Sequence, residues 1–143
     1  MKAGVDFPGV GVGVMVHRAD KKFLLGRRAE ASRNEVGAWT FPGGKLEFME
    51  KLEDCAKREA MEEFGIEIRV VRLLKIVNHF LPKEKQHWVN PLFLAELVGG
   101  EPKIMEPEKF SRFGWFSVEE LPFPLAVNLQ ELFADIRSGK IKL

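Results

Sequence analysis

The first part of the chain alternates between two kinds of residue, and this alternation predicts β-strands. In residues 9–17 the valines occupy one face, while glycines and Met15 occupy the other. A period of two residues is the pattern of a strand. Glycines along one face of a strand allow a packed helix or a ligand to approach the backbone closely. A turn at Lys21 and Lys22 then leads into a second predicted strand at residues 23–28.

Apolar runs in the second half predict a long hairpin, a short strand and a final helix. Residues 66–80 form one long strand or a bent pair, and residues 87–98 form the returning strand after a charged turn. A short strand is predicted at residues 113–116, and residues 125–137 have the apolar spacing of an amphipathic helix. Because strands, a helix, a hairpin and a final helix follow one another, we predict an α/β layered domain with a mixed sheet between helices.

A Pro-Gly-Gly sequence separates the early strands from a helix of about four turns. Pro42, Gly43 and Gly44 predict a sharp turn at which the backbone can approach a ligand closely. The helix that follows ends near Gly65, because glycine readily adopts the left-handed conformation after a helix C-terminus.

This helix carries carboxylates on its inward face. At about 100° per residue, the stripe that faces the core is apolar in its first half and acidic in its second half. Its members are Leu52, Cys55, Ala56, Glu59 and Glu63, with Glu62 at the margin.

A carboxylate that is removed from water must be paired or neutralised. A divalent cation meets this need, and hard oxygen ligands suit Mg²⁺ or Mn²⁺. The Gly-Gly backbone would then lie beside substrate phosphates. The alternative is an ordinary surface helix on which Arg58 pairs with Glu62.

Composition limits the function classes. With 143 residues, of which 45% are apolar, the chain can form a single domain over residues 1–143. A net charge of +1 predicts no general attraction to nucleic acid or to a membrane surface. The single cysteine, Cys55, excludes an internal disulfide and is expected to be a buried small hydrophobe. Since neither a signal-peptide run nor a membrane-spanning segment is found, we expect a cytoplasmic protein.

The charged and glycine positions from Gly44 to Ile66 resemble the signature of the Nudix (MutT-like) hydrolases. In this sequence they read Gly44-x5-Glu50-x7-Arg58-Glu59-Ala60-x-Glu62-Glu63-x-Gly65-Ile66. Ala60 stands where a larger aliphatic residue is usual, and Lys51 replaces a helix-capping Ser or Thr. Further segments resemble the small nucleoside triphosphate diphosphatase branch in matching order, at residues 7–14, 24–28, 41–48, 77–80 and 105–109.

The resemblance implies a Nudix-type α/β/α sandwich and assigns roles to particular residues. It makes Glu59 and Glu63 the principal Mg²⁺ ligands, with Mn²⁺ as a substitute, and the carbonyl of Gly43 another oxygen ligand. Glu62 is a further ligand or a water-activating carboxylate. The remaining assignments are Arg58, which orients the carboxylates, Glu50, which supports the loop or binds an additional cation, and Glu106 or Glu108 as a further ligand from a later loop.

The expected phosphate-binding positions are Gly43, Gly44, Lys45 and Arg27. Arg27 and Arg28 are neighbours in a predicted strand, so they point to opposite faces and only one easily reaches a given site. A solvated strand end remains the alternative for either arginine.

The reaction implied by the resemblance is attack by metal-activated water on a nucleoside diphosphate linked to a second group. A nucleoside triphosphate, natural or oxidised, would yield the monophosphate and pyrophosphate. Pro82 lies at a distance from Ile66 that marks many ADP-ribose pyrophosphatases, which would yield AMP and ribose 5-phosphate. A third alternative is a nucleotide-binding module without catalysis. Members of this branch commonly form homodimers, so the resemblance implies a homodimer of this chain.

Overall fold

The computed structural model describes residues 1–32 and 34–143. It contains seven strands and two helices within these residues. The strands are β1 (Gly9–His17), β2 (Phe23–Arg28), β3 (Trp39–Thr40), β4 (Gly43–Lys45), β5 (Glu67–Leu81), β6 (Gln86–Gly99) and β7 (Phe110–Phe116), and the helices are α1 (Leu52–Phe64) and α2 (Val127–Arg137). Over the described residues, neither helix combines the length and the apolar character needed to cross a membrane.

The strands form one mixed sheet. Its order is β3-β2-β1-β6-β5, with β4 paired to β1 and β7 paired to β2. Strands β1 and β6 are parallel, whereas the other pairs are antiparallel. The predicted mixed sheet is therefore confirmed, and β1 lies at its centre.

The two faces of the sheet bury different helices, as the alternation in β1 requires. Val12, Val14 and Val16 pack with the buried face of α1 in one apolar cluster. Met15 points to the opposite face and belongs to a second cluster that contains the buried residues of α2. A helix covers each face of the sheet, which is the predicted α/β/α arrangement.

Pairing between distant segments moves several element boundaries away from their predicted positions. Strand β7 begins at Phe110 instead of residue 113, because Phe110 pairs with Arg28 of β2. Helix α2 begins at Val127 instead of residue 125, because Leu125 forms a bridge with Trp39 and the backbone of Ala126 donates to the same residue.

The predicted turn at Gly43 and Gly44 is wrong, because both residues belong to strand β4. They pair with Gly13 and Val12 of β1 in antiparallel register. A Cβ at Gly43 would lie 2.1 Å from the carbonyl oxygen of Val12, so only glycine allows this pairing. The glycines thus permit a close approach of strands, and the chain turns later, at Met49, which has a positive φ of 67°.

Candidate active site

Helix α1 carries two buried carboxylates towards the sheet. Glu59 is 7% exposed and Glu63 is fully buried, as the stripe predicted. The side chain of Glu62 lies at the margin and is 48% exposed. Two acidic residues on a buried helical face require partners that neutralise them or donate hydrogen bonds to them.

Glu63 finds its partners on β4 and on the loop before β7. Its Oε1 accepts a hydrogen bond of 2.8 Å from the backbone N–H of Gly43. Its Oε2 forms an ion pair with the ammonium group of Lys109. Burial raises the pKa of Glu63 to about 8, although Lys109 and the Gly43 N–H favour the ionised form.

Lys109 brings the predicted ligand oxygens together around one positive charge. Besides contacting Glu63, its Nζ donates to the carbonyl oxygen of Gly43 at 3.1 Å and lies 3.8 Å from Oε2 of Glu59. Burial opposes the charged form of Lys109, but Glu63 and Glu59 more than compensate and raise its pKa. The ammonium group is therefore a cation surrounded by oxygen atoms of Gly43, Glu59 and Glu63.

These oxygens fit a divalent cation of the hard type. Two carboxylates and one backbone carbonyl match the oxygen donors that Mg²⁺ and Mn²⁺ take, with waters and substrate oxygens completing the shell. No three His, Cys, Asp or Glu side chains form a ready metal cluster in the part of the chain that the structure describes. The third converging donor here is the carbonyl of Gly43, since Glu62 points outwards.

Arg58 connects the carboxylates of α1 to the loop that precedes the helix. Its Nε and Nη2 donate to the two carboxylate oxygens of Glu50 at 2.8 and 3.0 Å. Its Nη1 donates to Glu59 at 2.7 Å, and its Nη2 also donates to the Lys45 carbonyl at 3.2 Å. The hydrogen bonds from Arg58 lower the pKa of Glu50 to about 2. Arg58 thereby holds Glu59 in one orientation.

Strand β4 approaches α1 closely because Gly44 has no side chain. A Cβ at this position would lie 2.5 Å from the carboxyl carbon of Glu59. The adjacent Lys45 contributes its carbonyl to Arg58 and keeps its own side chain exposed. The close approach of β4 therefore sets the position of Glu59.

A cavity of about 190 Å³ begins at β4 and extends between the sheet and α2. Its lining combines glycines of β1, cationic and acidic side chains near β4, and amide side chains near α2. The polar and glycine residues of the lining include Gly11, Gly43, Gly44, Lys45, Arg28, Lys109, Asn34, Glu35, His79, Asn90 and Asn128, and Trp88 also lines the cavity.

Comparison with known proteins identifies the family. The family model of the NUDIX domain matches residues 7–136. The chain belongs to the Nudix family. A Nudix hydrolase, the MutT protein of Burkholderia pseudomallei, has a solved structure that matches with a TM-score of 0.83 at 36% identity, over 92% of this chain and 99% of that one.

Curated Nudix relatives carry several substrate names. An ADP-ribose pyrophosphatase from Methanocaldococcus jannaschii is 27% identical over 133 residues, which is 93% of this chain and 75% of the relative. An 8-oxo-dGDP phosphatase of Danio rerio is 29% identical over 114 residues. The chain spans 33% of the length of that relative, and 22% of an m7GpppN-mRNA hydrolase of the same species that is 43% identical over 68 residues.

The predicted ligands on α1 and β4 lie close together in this Nudix structure. The arginine that lines the cavity, however, is not the one predicted to bind phosphate. Arg27 is absent from the cavity lining, and its Nε donates to the carbonyl of Gly37 at 3.3 Å. Arg28 lines the cavity instead, and its Nε donates to the carbonyl of Asn34 at 2.5 Å. Burial lowers the pKa of Arg28, an effect that Glu35 and Glu63 oppose. Alternation along β2 allows only one of the two arginines to face the site.

Sequence reasoning missed Lys109 and the amide residues of this Nudix site. Lys109 lies in the loop for which the sequence predicts only an acidic ligand, Glu106 or Glu108. Of these two, Glu106 is half-buried and Glu108 is exposed. Burial raises the pKa of Glu106 and the nearby Glu59 adds to the shift, while Lys109 opposes it. The sequence around Lys109, a lysine followed by Phe110, contains no local pattern that predicts its contact with the carboxylates of α1.

Cys55 is a packing residue beneath the Nudix helix. It is fully buried, and its Sγ lies 3.7 Å from the carbonyl oxygens of Gly44 and Lys45. Burial raises the pKa of the thiol to about 12, with the nearby Glu50 adding to the shift. The expected buried small hydrophobe is confirmed.

Proposed function

We propose that this chain hydrolyses the diphosphate linkage of a nucleotide, and that its main substrate is a nucleoside triphosphate, natural or oxidised, cleaved to the monophosphate and pyrophosphate. One observation carries the proposal. The carbonyl of Gly43 and the carboxylates of Glu59 and Glu63 converge on the ammonium of Lys109, and Gly43 and Lys109 line a cavity that α2 also lines.

The residues at this point would hold Mg²⁺, with Mn²⁺ as a substitute, through Glu59, Glu63 and the Gly43 carbonyl. When bound, such an ion polarises phosphate oxygens, lowers the pKa of a water ligand and neutralises charge on the leaving group. The buried carboxylates supply the negative charge that retains the ion. Lys109 then becomes available to the phosphates, since its flexible side chain can leave the carboxylates.

The other residues of the chain orient the carboxylates and the substrate. Arg58 holds the carboxylate of Glu59 beside Gly44, and Glu50 keeps Arg58 in place. The half-exposed Glu62 is the carboxylate that can take a proton from an attacking water. Arg28 and Lys45 line the cavity on the phosphate side, where their positive charge suits a polyphosphate.

The alternative substrate is ADP-ribose, which the pyrophosphatase of Methanocaldococcus jannaschii supports. Pro82, the sequence signal for this alternative, does not line the cavity but borders a separate groove beside Phe7 and Phe80. The proposal of a triphosphate substrate is supported by this position of Pro82 outside the cavity. A nucleotide-binding module without catalysis is the remaining alternative.

The decisive experiment is hydrolysis of a nucleotide panel with and without Mg²⁺, with the products resolved by chromatography. The panel contains natural and oxidised deoxynucleoside triphosphates, ADP-ribose and a dinucleoside polyphosphate. Metal-dependent release of monophosphate and pyrophosphate supports the proposal. Preferential conversion of ADP-ribose to AMP and ribose 5-phosphate favours the alternative substrate, and no product from any compound favours the binding module.

A further inference from the structure

Two arginines lie opposite each other on neighbouring strands, outside the cavity. Arg27 of β2 pairs with Arg112 of β7 in antiparallel register, and neither belongs to the cavity lining. Directly opposed side chains lie on the same face of a sheet, with their Cβ atoms about 5 Å apart. Two like charges in this arrangement destabilise the strand pairing. A negative group that binds both arginines would offset this repulsion.

Trp39 holds the guanidinium group of Arg112 at this position. Cζ of Arg112 lies 5.3 Å from the centroid of the Trp39 ring, within the range of a cation–π interaction. The ring is only 7% exposed and packs edge-on against Phe116 with a centroid distance of 5.2 Å, so it is a fixed support. Trp39 lies on β3, which pairs with Arg27 on the side of β2 opposite to β7. The side chain of Arg112 therefore crosses β2 beside Arg27.

The side chain of Arg27 is also held in one place. Its Nε donates to the carbonyl of Gly37 at 3.3 Å, and a Cβ at Gly37 would lie 3.5 Å from its Nη2. Arg27 is half-buried, whereas Arg112 is exposed. Apart from the Gly37 carbonyl, the described residues provide no hydrogen-bond acceptor to either guanidinium group. Both arginines thus retain unused N–H donors on the same face of the sheet.

The described part of the chain supplies no negative group to either arginine. None of the ion pairs among the described residues includes Arg27 or Arg112. Arg18 provides the comparison, because its Cζ also lies over a tryptophan, 4.7 Å from the ring centroid of Trp115. Arg18 is neutralised by Asp20, whose two carboxylate oxygens each accept a hydrogen bond of 2.9 Å from Nε. Of the two stacked arginines, only Arg18 has a carboxylate partner from the described residues.

We propose that Arg27 and Arg112 bind a phosphate group at a second anion site, separate from the cavity. The planar guanidinium fork matches two phosphate oxygens, and two such forks can bind one phosphate or diphosphate group. The bound anion replaces the repulsion between the arginines by attraction to both. Two positive charges are too few to hold a nucleic acid, which requires several phosphate contacts, so the ligand is a small phosphate compound. Since neither arginine contacts Glu59 or Glu63, this site does not depend on the proposed hydrolysis.

Titration with inorganic pyrophosphate tests this site, without a divalent metal and at constant ionic strength. Pyrophosphate has two phosphate groups and no base, and two-dimensional NMR of the ¹⁵N-labelled chain separates its binding at two places. The indole N–H of Trp39 and the Nε–H of Arg27 report on the proposed site, whereas the amides of Gly43 and Gly44 report on the cavity. We expect the Trp39 and Arg27 signals to shift and to saturate. Acetate, a monoanion with two oxygens, should bind at least about tenfold more weakly, because it carries less charge.

Single substitutions assign the binding to the two arginines. Arg27→Gln and Arg112→Gln should each weaken the binding reported by Trp39 by about tenfold or more, since each loses charge-assisted hydrogen bonds to the phosphate. Arg18→Gln is the matched control, because it removes an arginine that lies over a tryptophan but is already paired with Asp20. This control should leave the affinity unchanged. The backbone amide spectrum of each variant shows that it is folded.

The outcomes do not depend on whether the chain hydrolyses nucleotides. Saturable shifts at Trp39 that Arg27→Gln and Arg112→Gln weaken, and that Arg18→Gln leaves unchanged, support the second anion site. Shifts confined to the cavity amides overturn it, as does an affinity at Trp39 that survives both substitutions or falls equally in the control. Equal affinities for acetate and pyrophosphate overturn phosphate as the ligand.

Discussion

Nζ of Lys109 donates a hydrogen bond of 3.1 Å to the carbonyl oxygen of Gly43, although the two residues are 66 positions apart in the chain. The same ammonium group contacts Glu63, which also accepts the N–H of Gly43. Lys109 thus joins the loop before β7 to strand β4 and helix α1 at the proposed metal position.

Replacing Lys109 by methionine should make the protein depend on the metal for stability. The buried carboxylate of Glu63 loses its cationic partner, which should lower the free energy of unfolding without metal by roughly 1–3 kcal/mol. Mg²⁺ or Mn²⁺ should then raise the unfolding midpoint more than it does in the wild type, because no ammonium competes for the oxygens. Thermal unfolding with a chelator and with each metal measures both effects.

The matched control for this variant is Lys103→Met, which removes an exposed lysine from the same connection. The occupancy of the metal position by Lys109 would be contradicted if both lysine variants showed the same metal-induced rise as the wild type.

Substitution of Glu63 by glutamine should reduce turnover by about 100-fold or more while the fold is retained. The amide keeps the size of the side chain but lacks the negative charge that would hold the metal. Steady-state kinetics with Mg²⁺ and far-ultraviolet circular dichroism measure the two properties. Glu53→Gln, on the exposed face of α1, is the control. A turnover close to that of the wild type would remove Glu63 from the essential ligands.

Arg58→Lys should weaken metal binding by about 10–100-fold, the usual cost of losing a group that orients a ligand. Lysine cannot donate simultaneously to both oxygens of Glu50 and to Glu59, because it lacks the planar fork of arginine. Titration of the protein with Mn²⁺ measures the affinity. Lys57→Met, which changes the adjacent exposed cation, should leave it unaltered. Equal affinities of Arg58→Lys and wild type would show that the fork is dispensable.

Gly44→Ala should lower turnover by at least about tenfold, because the added methyl group must displace the carboxylate of Glu59 that it would meet at 2.5 Å. The comparison variant is Gly99→Ala, whose Cβ would lie 3.3 Å from the exposed, flexible end of Glu67. If the two variants retained the same kcat, the close approach of β4 to Glu59 would not be needed for activity.

Cys55 should resist alkylation in the native state. Its thiol pKa of about 12, raised by burial, leaves a thiolate fraction of about one in ten thousand at pH 8. Labelling with iodoacetamide, followed by mass spectrometry, should be slow in buffer and fast in concentrated urea, where the pKa returns towards its ordinary value. Rapid labelling of the folded protein would contradict the buried position of Cys55.

Local pattern determined much of the fold. Strands β1 and β2 were predicted with their observed bounds, because alternation needs only neighbouring residues. The acidic stripe of α1 was predicted for the same reason, since helical geometry places Glu59 and Glu63 on one face regardless of what covers it. The Nudix resemblance also depends on spacing within one continuous segment, and the family comparison confirms it.

Tertiary structure alone decided which residues complete the site. The parallel pairing of β1 with β6 places Asn90 beside Gly11, and the pairing of β7 with β2 brings the loop of Lys109 to β4. Such contacts join segments tens of residues apart, and their geometry depends on strand register and on loop closure. Local periodicity carries no information about either, so the carboxylates of α1 could be predicted from the sequence, whereas the cation and the amides that meet them could not.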